Sequence, residues 1–287
     1  MIIDAHTHLF SPDVVADRAR YTQRDSFFDD LYHNPKARIV GAAELIAAMD
    51  AAGVDQAVVA GWPWQSNDIC IEQNTWLMQV ARQYPTRLVA LCTVQPKAGI
   101  AAIREFRRCI ENGMVGAGEL NADGQGFRLD DDGLLNLARA AVELRAPMML
   151  HTNEPVGHPY PGKGGLPLAA IYALVKQLPD LRLVLAHWGG GFPFYELMPE
   201  VRAAAHNVFY DTAASPLLYA PRVFRAVVNI VGADKVLFGS DFPLILYPKR
   251  QHEPDMRPFL GEVRSVGFEA EELAKILGNN AWTVLGK

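Results

Sequence analysis

The side chains best suited to chemistry sit at the ends of short apolar runs. His6 and His8 are two positions apart near the end of Met1–Leu9, so in an extended strand both imidazoles point the same way. Two converging neutral imidazoles are good ligands for a divalent transition metal; the alternative is a chance pair of packed or surface histidines. Other runs end similarly. Glu119 lies in Gly116–Leu120, His151 closes Pro147–His151, His187 closes Leu181–His187 and Asp241 closes Lys235–Asp241. If these runs are strands of one closed barrel, their ends share a crater, and four of the chain's eight histidines meet two carboxylates there. Such a donor set calls for a divalent cation, zinc first and manganese second. An open metal of this kind lowers the pKa of bound water to about 7, and Asp241 and His187 are placed to handle protons beside it.

The elements that must position these groups are legible as an alternation. Besides the runs above, of which the Glu119 run starts at Met114, Val54–Gly61, Arg87–Val94 and Asn207–Asp211 are rich in apolar and β-branched residues. They are continuous rather than alternating, as expected of parallel strands buried on both faces. Amphipathic stretches at 42–52, 67–84, 100–112, 131–144, 168–178 and 221–231 lie between them, and most stop before Gly or Pro. Eight strand–helix units predict an α/β fold, a (β/α)8 TIM barrel filling 1–287 as a single domain. The first strand leads into His-Thr-His instead of a glycine-rich dinucleotide fingerprint, which argues against an open nucleotide-binding sheet. Two connections, 10–41 and 243–257, are too long for ordinary loops and follow strands at the crater end. They are pocket walls or lids, or else decorative insertions.

Composition narrows the class further. Half of the 287 residues are hydrophobic and the formal net charge is −5. Without clustered Lys and Arg, nucleic acid and anionic membranes are poor partners. No apolar run reaches the roughly 18 residues of a membrane span. The N-terminus has neither the basic start nor the apolar core of a secretory signal. Cys70, Cys92 and Cys109 are odd in number and show no CxxC spacing. They fit small core residues in a reducing cytoplasm. The expected partner is a small molecule, with homo-oligomerisation left open.

Several further residues are candidates for holding that molecule. His158 sits in the Pro/Gly-rich stretch 154–161, reaching the crater or lying on the surface. Trp62 and Trp64 follow the second strand and Trp188 the sixth, either lining a pocket for a flat substrate or packing the rim. Lys249, Arg250 and Arg257 form a carboxylate clamp or a solvated loop. Asp211, ending the seventh strand, is placed to orient a ligand histidine.

The segments Asp4-Ala5-His6-Thr7-His8, His151-Thr152, Ala186-His187-Trp188-Gly189-Gly190 and Phe238-Gly239-Ser240-Asp241-Phe242-Pro243 together resemble the amidohydrolase superfamily of metal-dependent barrels. More narrowly, they are similar to its amidohydrolase-related branch, which includes aminocarboxymuconate semialdehyde decarboxylase and related decarboxylases and hydrolases. The tail Ile276–Ala281 is similar to that family's closing helix, so the resemblance spans nearly the whole chain. It implies His6, His8, His151 and Asp241 as metal ligands. It implies His187 as a general acid/base in mononuclear decarboxylase-like members, or as a ligand to a second metal in binuclear hydrolases. Glu119 departs from the decarboxylase pattern, where many members lack this acid; in some hydrolytic members it binds or bridges metals, and otherwise it is ion-paired to a neighbouring Arg or Lys. The expectation is therefore a hydrolase of a small ester, lactone or amide, with non-oxidative decarboxylation of an aromatic or muconate-like acid as the alternative.

Overall fold

The apolar runs become the strands of one parallel sheet. In the computed structural model, which describes residues 1–286, these are β1 (Ile3–His8), β2 (Gln56–Ala60), β3 (Leu88–Cys92), β4 (Gly116–Leu120), β5 (Met148–Leu150), β6 (Leu183–Leu185), β7 (Val208–Asp211) and β8 (Val236–Leu237). They pair in sequence order. The last edge closes onto the first: the Ala5 N–H donates to the Phe238 carbonyl at 2.7 Å, Asp241 to His6 at 2.9 Å and His8 to Phe242 at 2.7 Å. The fold is a (β/α)8 TIM barrel. β8 is shorter than its apolar run: beyond Leu237 the Phe238 N–H donates to the Ile276 carbonyl and the Gly239 N–H to Thr212 Oγ1.

Helices cover the outside: α1 (Ala42–Ala52), α2 (Asn67–Gln83), α3 (Ile100–Glu111), α4 (Asp132–Glu143), α5 (Leu168–Gln177), α6 (Pro199–Ala204), α7 (Arg222–Val231) and α8 (Arg257–Ser265). Their apolar faces, for example Leu45 and Met49 of α1 and Phe106 of α3, join one core with Ala57, Val59 and Ala90 of the strands. Each such large side chain, fully buried, contributes about 1.5–3 kcal/mol. The opposite faces of the strands fill the barrel with Ala5, Val58, Leu91, Met149, Val184 and Leu237, sealed by Ala281 and Val284 of the tail helix Asn280–Val284.

Two irregularities convert this apolar filling into a polar rim. Strict alternation would send Ala5 and His6 to opposite faces. In β1, however, Asp4 to Thr7 spans three residues against two from Ala57 to Val59. This bulge re-aims the strand, so Ala5 fills the apolar layer while His6 and His8 both enter the crater above it. β4 repeats the device: Ala117 to Leu120 faces Met148 to Leu150, again three residues against two. Gly118 sits in that bulge at φ 152°, where a Cβ would lie 2.6 Å from the Met149 Cβ; only glycine fits, and Glu119 turns inward after it.

The 10–41 connection carries three short helices, Pro12–Ala16, Arg18–Thr22 and Ser26–Tyr32. They bury an aromatic cluster in which Phe27 stacks on Trp62 and Phe28 on Tyr32, both at 4.8 Å. This loop is a packed wall and not a loose insertion. All three cysteines are free and buried. Among the described residues no helix is long and apolar enough to cross a membrane.

A buried amide helps tie the tail to the barrel. Asn280, buried, donates from Nδ2 to the carbonyls of Ala233 (2.7 Å) and Val236 (2.8 Å). Asn280→Ala removes both bonds, although the Ala233 carbonyl keeps the Val236 N–H as a donor, and is expected to cost about 1–2 kcal/mol. Urea denaturation checks this; metal binding at the opposite end of the barrel should be unchanged.

Candidate active site

Four donor atoms converge at the crater floor. His6 Nε2 lies 3.0 Å from His8 Nε2, 3.6 Å from Glu119 Oε2 and 3.7 Å from Asp241 Oδ1. His8 Nε2 is 3.5 Å from each of the same carboxylate oxygens. Metal bonds of about 2.1 Å place ligand atoms about 3.4 Å apart in a tetrahedron and about 3.0 Å apart in adjacent octahedral positions. The observed separations fall around these values. His6 Nδ1 donates to Asp211 Oδ2 at 2.8 Å, which leaves a lone pair on Nε2, aimed at the same point. The donor set could therefore hold a divalent cation on His6, His8 and Glu119, with Asp241 alongside, and Glu119, His151 and His187 form a second group able to do so.

Glu119 faces two ways. Its Oε2 belongs to that group, and its Oε1 meets His151 Nδ1 at 2.9 Å and His187 Nε2 at 3.3 Å. The β6 exit positions His187. The backbone runs left-handed from His187 through Gly191, and a Cβ on Gly190 would lie 2.3 Å from the Asn153 carbonyl. That turn is anchored by Asp211 Oδ1, which accepts from the His187 N–H at 2.8 Å and the Ala213 N–H at 3.0 Å.

The electrostatics show a site short of positive charge. Burial disfavours the charged form of His6, yet Asp211 and Glu119 outweigh it and hold the imidazole well above its ordinary pKa. His187, also penalised by burial, is pushed up to about 9 by its hydrogen bond to Glu119 and the charges of Asp241, Glu119 and Asp211. Burial would raise Glu119, but His151 and His6 keep it well below the usual carboxylate range. Three carboxylates draw protons onto the imidazoles, and a bound cation would satisfy the same field.

Above the floor opens a cavity of about 530 Å³, a size suited to a small molecule. Phe27, Tyr32 and Trp62 form one wall; Leu217, Leu218, Leu244 and Ile245 face it; His158 and Tyr160 come from the β5 loop. Two expectations are corrected. Trp188 does not line the cavity: the left-handed turn buries its ring, with Nε1 donating to Ser215 Oγ at 2.7 Å and the ring edge-on to Phe224 of α7. Arg250 is not a clamp either, because a turn in which the Arg250 and Gln251 N–H groups donate to the Tyr247 carbonyl leaves its side chain exposed, outside the wall. Trp64 lies in the aromatic cluster behind Trp62, and Arg257 pairs with Asp255 at 2.8 Å. The cations that reach the cavity are Lys36 and Arg38, which sequence reading passed over together with Asn121 and Asn153. Only Asn153 carried a visible signal, two residues beyond His151.

The family described as Amidohydrolase matches this chain over residues 3–287. The chain is 26% identical over 254 residues to 2-amino-3-carboxymuconate-6-semialdehyde decarboxylase of Dictyostelium discoideum, covering 78% of this chain and 68% of the relative. It is 24% identical over 216 residues to 2-keto-4-carboxy-3-hexenedioate hydratase of Sphingobium sp. (strain NBRC 103272 / SYK-6), covering 65% and 60%. A 5-carboxyvanillate decarboxylase from Novosphingobium aromaticivorans, complexed with manganese and 4-hydroxy-3-methoxy-5-nitrobenzoic acid, shares the fold. Its TM-score is 0.79 at 18% identity, over 100% of this chain and 96% of that one. These findings overturn the expectation of a hydrolase, since the decarboxylase and the hydratase among the relatives are both lyases. Glu119 prompted that expectation, but a carboxylate beside a cation supplies charge without fixing the reaction. From its first strand to its tail, the chain belongs to the amidohydrolase family.

Proposed function

We propose that this protein is a metal-dependent, non-oxidative decarboxylase of a small aromatic or muconate-like carboxylic acid. The observation that carries the reading is a buried imidazole with a raised pKa, His187, set beside a group of metal-type donors on the floor of an aromatic-walled cavity. The decarboxylases among the similar proteins support it. A divalent cation held by His6, His8, Glu119 and Asp241, manganese or zinc, would supply the positive charge that binds and polarises the oxygens of an acidic substrate.

The chain's own residues do the rest. Phe27, Tyr32 and Trp62 hold a flat carbon framework, and the leucines opposite exclude water. His187 delivers its proton to the carbon bearing the carboxylate. The bond to the carboxylate carbon then breaks, its electron pair returns to the framework, and carbon dioxide leaves. Glu119 Oε1 and Asp241 flank the imidazole and favour its reprotonation from solvent. The balance is one acid anion and one proton in, one carbon dioxide and one hydrogen-bearing product out, with no water consumed.

Turnover of a panel of such acids in deuterium oxide should release carbon dioxide and place one deuterium on the carbon that lost it. Oxygen from labelled water in the organic product would instead mean hydration or hydrolysis and defeat the proposal. His187→Asn should lower kcat by at least about 100-fold while metal content per chain, read by elemental analysis, stays unchanged. Asp211→Asn turns the partner of His6 Nδ1 from acceptor to donor and should weaken metal affinity about 10- to 100-fold, measured by calorimetric titration.

A further inference from the structure

One wall of the cavity depends on a missing side chain. Gly124 lies buried in the short helix Ala122–Gln125 that follows β4. Its φ is outside the left-handed region, so nothing in its backbone calls for glycine. What excludes a side chain is Phe27: a Cβ on Gly124 would lie 2.3 Å from both Cδ1 and Cε1 of that ring and 2.7 Å from its Cγ. Carbon atoms in contact stand about 3.5–4 Å apart, so a methyl group here would displace the ring by about 1 Å.

Neither partner is free to back away. The Gly124 N–H donates to Asn121 Oδ1 at 2.8 Å, and the Gly124 carbonyl accepts from Gln65 Nε2 at 2.9 Å. The Gln65 N–H donates in turn to Asp25 Oδ2 at 2.7 Å. Asp25 Oδ1 caps the helix Ser26–Tyr32 by accepting from the Phe28 N–H at 2.8 Å. Gln65 thus clamps the glycine to the helix that carries Phe27. Trp62 blocks a further route, because Phe27 stacks on it at 4.8 Å and it packs edge-on to Tyr32 and Phe28, at 5.1 and 5.8 Å. The space that remains for a displaced ring is the cavity, which Phe27 lines.

We infer that Gly124 is a positioning residue that sets the width of the cavity through Phe27, so that this pair limits the size of acid the site admits. The bare glycine seats the ring against the helix after β4, and the facing wall of Leu217, Leu218, Leu244 and Ile245 stands clear of it. The inference rests on the reading that the cavity takes a flat acid, but not on which reaction follows.

The test is calorimetric titration of benzoate and 2-naphthoate, in manganese-containing buffer, into wild type, Gly124→Ala, Phe27→Ala and the double variant. Gly124→Ala should weaken 2-naphthoate about 10-fold and change benzoate by less than about twofold. Phe27→Ala, which widens the same wall, should move the ratio of the two affinities the other way. Once the ring is gone, adding Gly124→Ala should change neither affinity. Equal losses for both acids, no loss, or a Gly124→Ala effect that persists in the Phe27→Ala background would each overturn the inference. Should circular dichroism show Gly124→Ala unfolded, the Phe27→Ala ratio decides, and an unchanged ratio overturns it. If the wild type binds neither acid, the cavity does not take flat acids, and the proposed function falls together with this inference. If it binds both without the size split, this inference falls alone.

Discussion

Everything at the crater floor is organised around one buried anion. Asp211 is fully enclosed at the end of β7, and an isolated carboxylate there would cost several kcal/mol. Three donors offset that cost: His6 Nδ1 on one oxygen, and the N–H groups of His187 and Ala213 on the other. The same bonds orient β1's first histidine, fix its tautomer and anchor the turn that presents His187. The His6 side and the His187 side of the crater floor are therefore both set by a single residue that solvent does not reach.

The barrel supplies a second constraint, the alternation of side chains along a strand. A regular strand cannot place Ala5 in the apolar layer and His6 in the crater, nor bring Glu119 round to meet them. Both problems are solved in the same way, by one extra residue, in β1 and β4. The apolar layer of Ala5, Val58, Leu91, Met149, Val184 and Leu237 stays continuous beneath, so the rim carries its charges without opening the core. The closing seam adds to this, since the backbone bonds that join 238–242 to β1 also set Asp241 against His6 and His8.

Much of this was legible in the sequence because strand ends in a parallel barrel map onto one rim. Once the eight runs are recognised, His6, His8, Glu119, His151, His187 and Asp241 must gather, however far apart they lie in the chain. The residues misplaced or missed are those whose positions depend on irregular backbone. Trp188 follows a strand just as His187 does, but five consecutive left-handed residues send its ring into the core. Arg250 sits on a long loop whose turn cannot be read from composition. Tyr32, Lys36 and Arg38 reach the cavity only because the aromatic cluster of the 10–41 loop folds back over Trp62.

The reaction itself was less legible than the site, for a reason that lies in Glu119. Read as a residue type, a carboxylate near a metal site suggests water activation. Read in place, its two oxygens serve different neighbours, Oε2 the His6–His8 pair and Oε1 the His151–His187 pair. Its negative charge therefore faces both groups, and burial leaves little solvent to screen it. Donor identity thus constrains charge, whereas the orientation of each donor, set by neighbours such as Asp211, decides what the charge is used for.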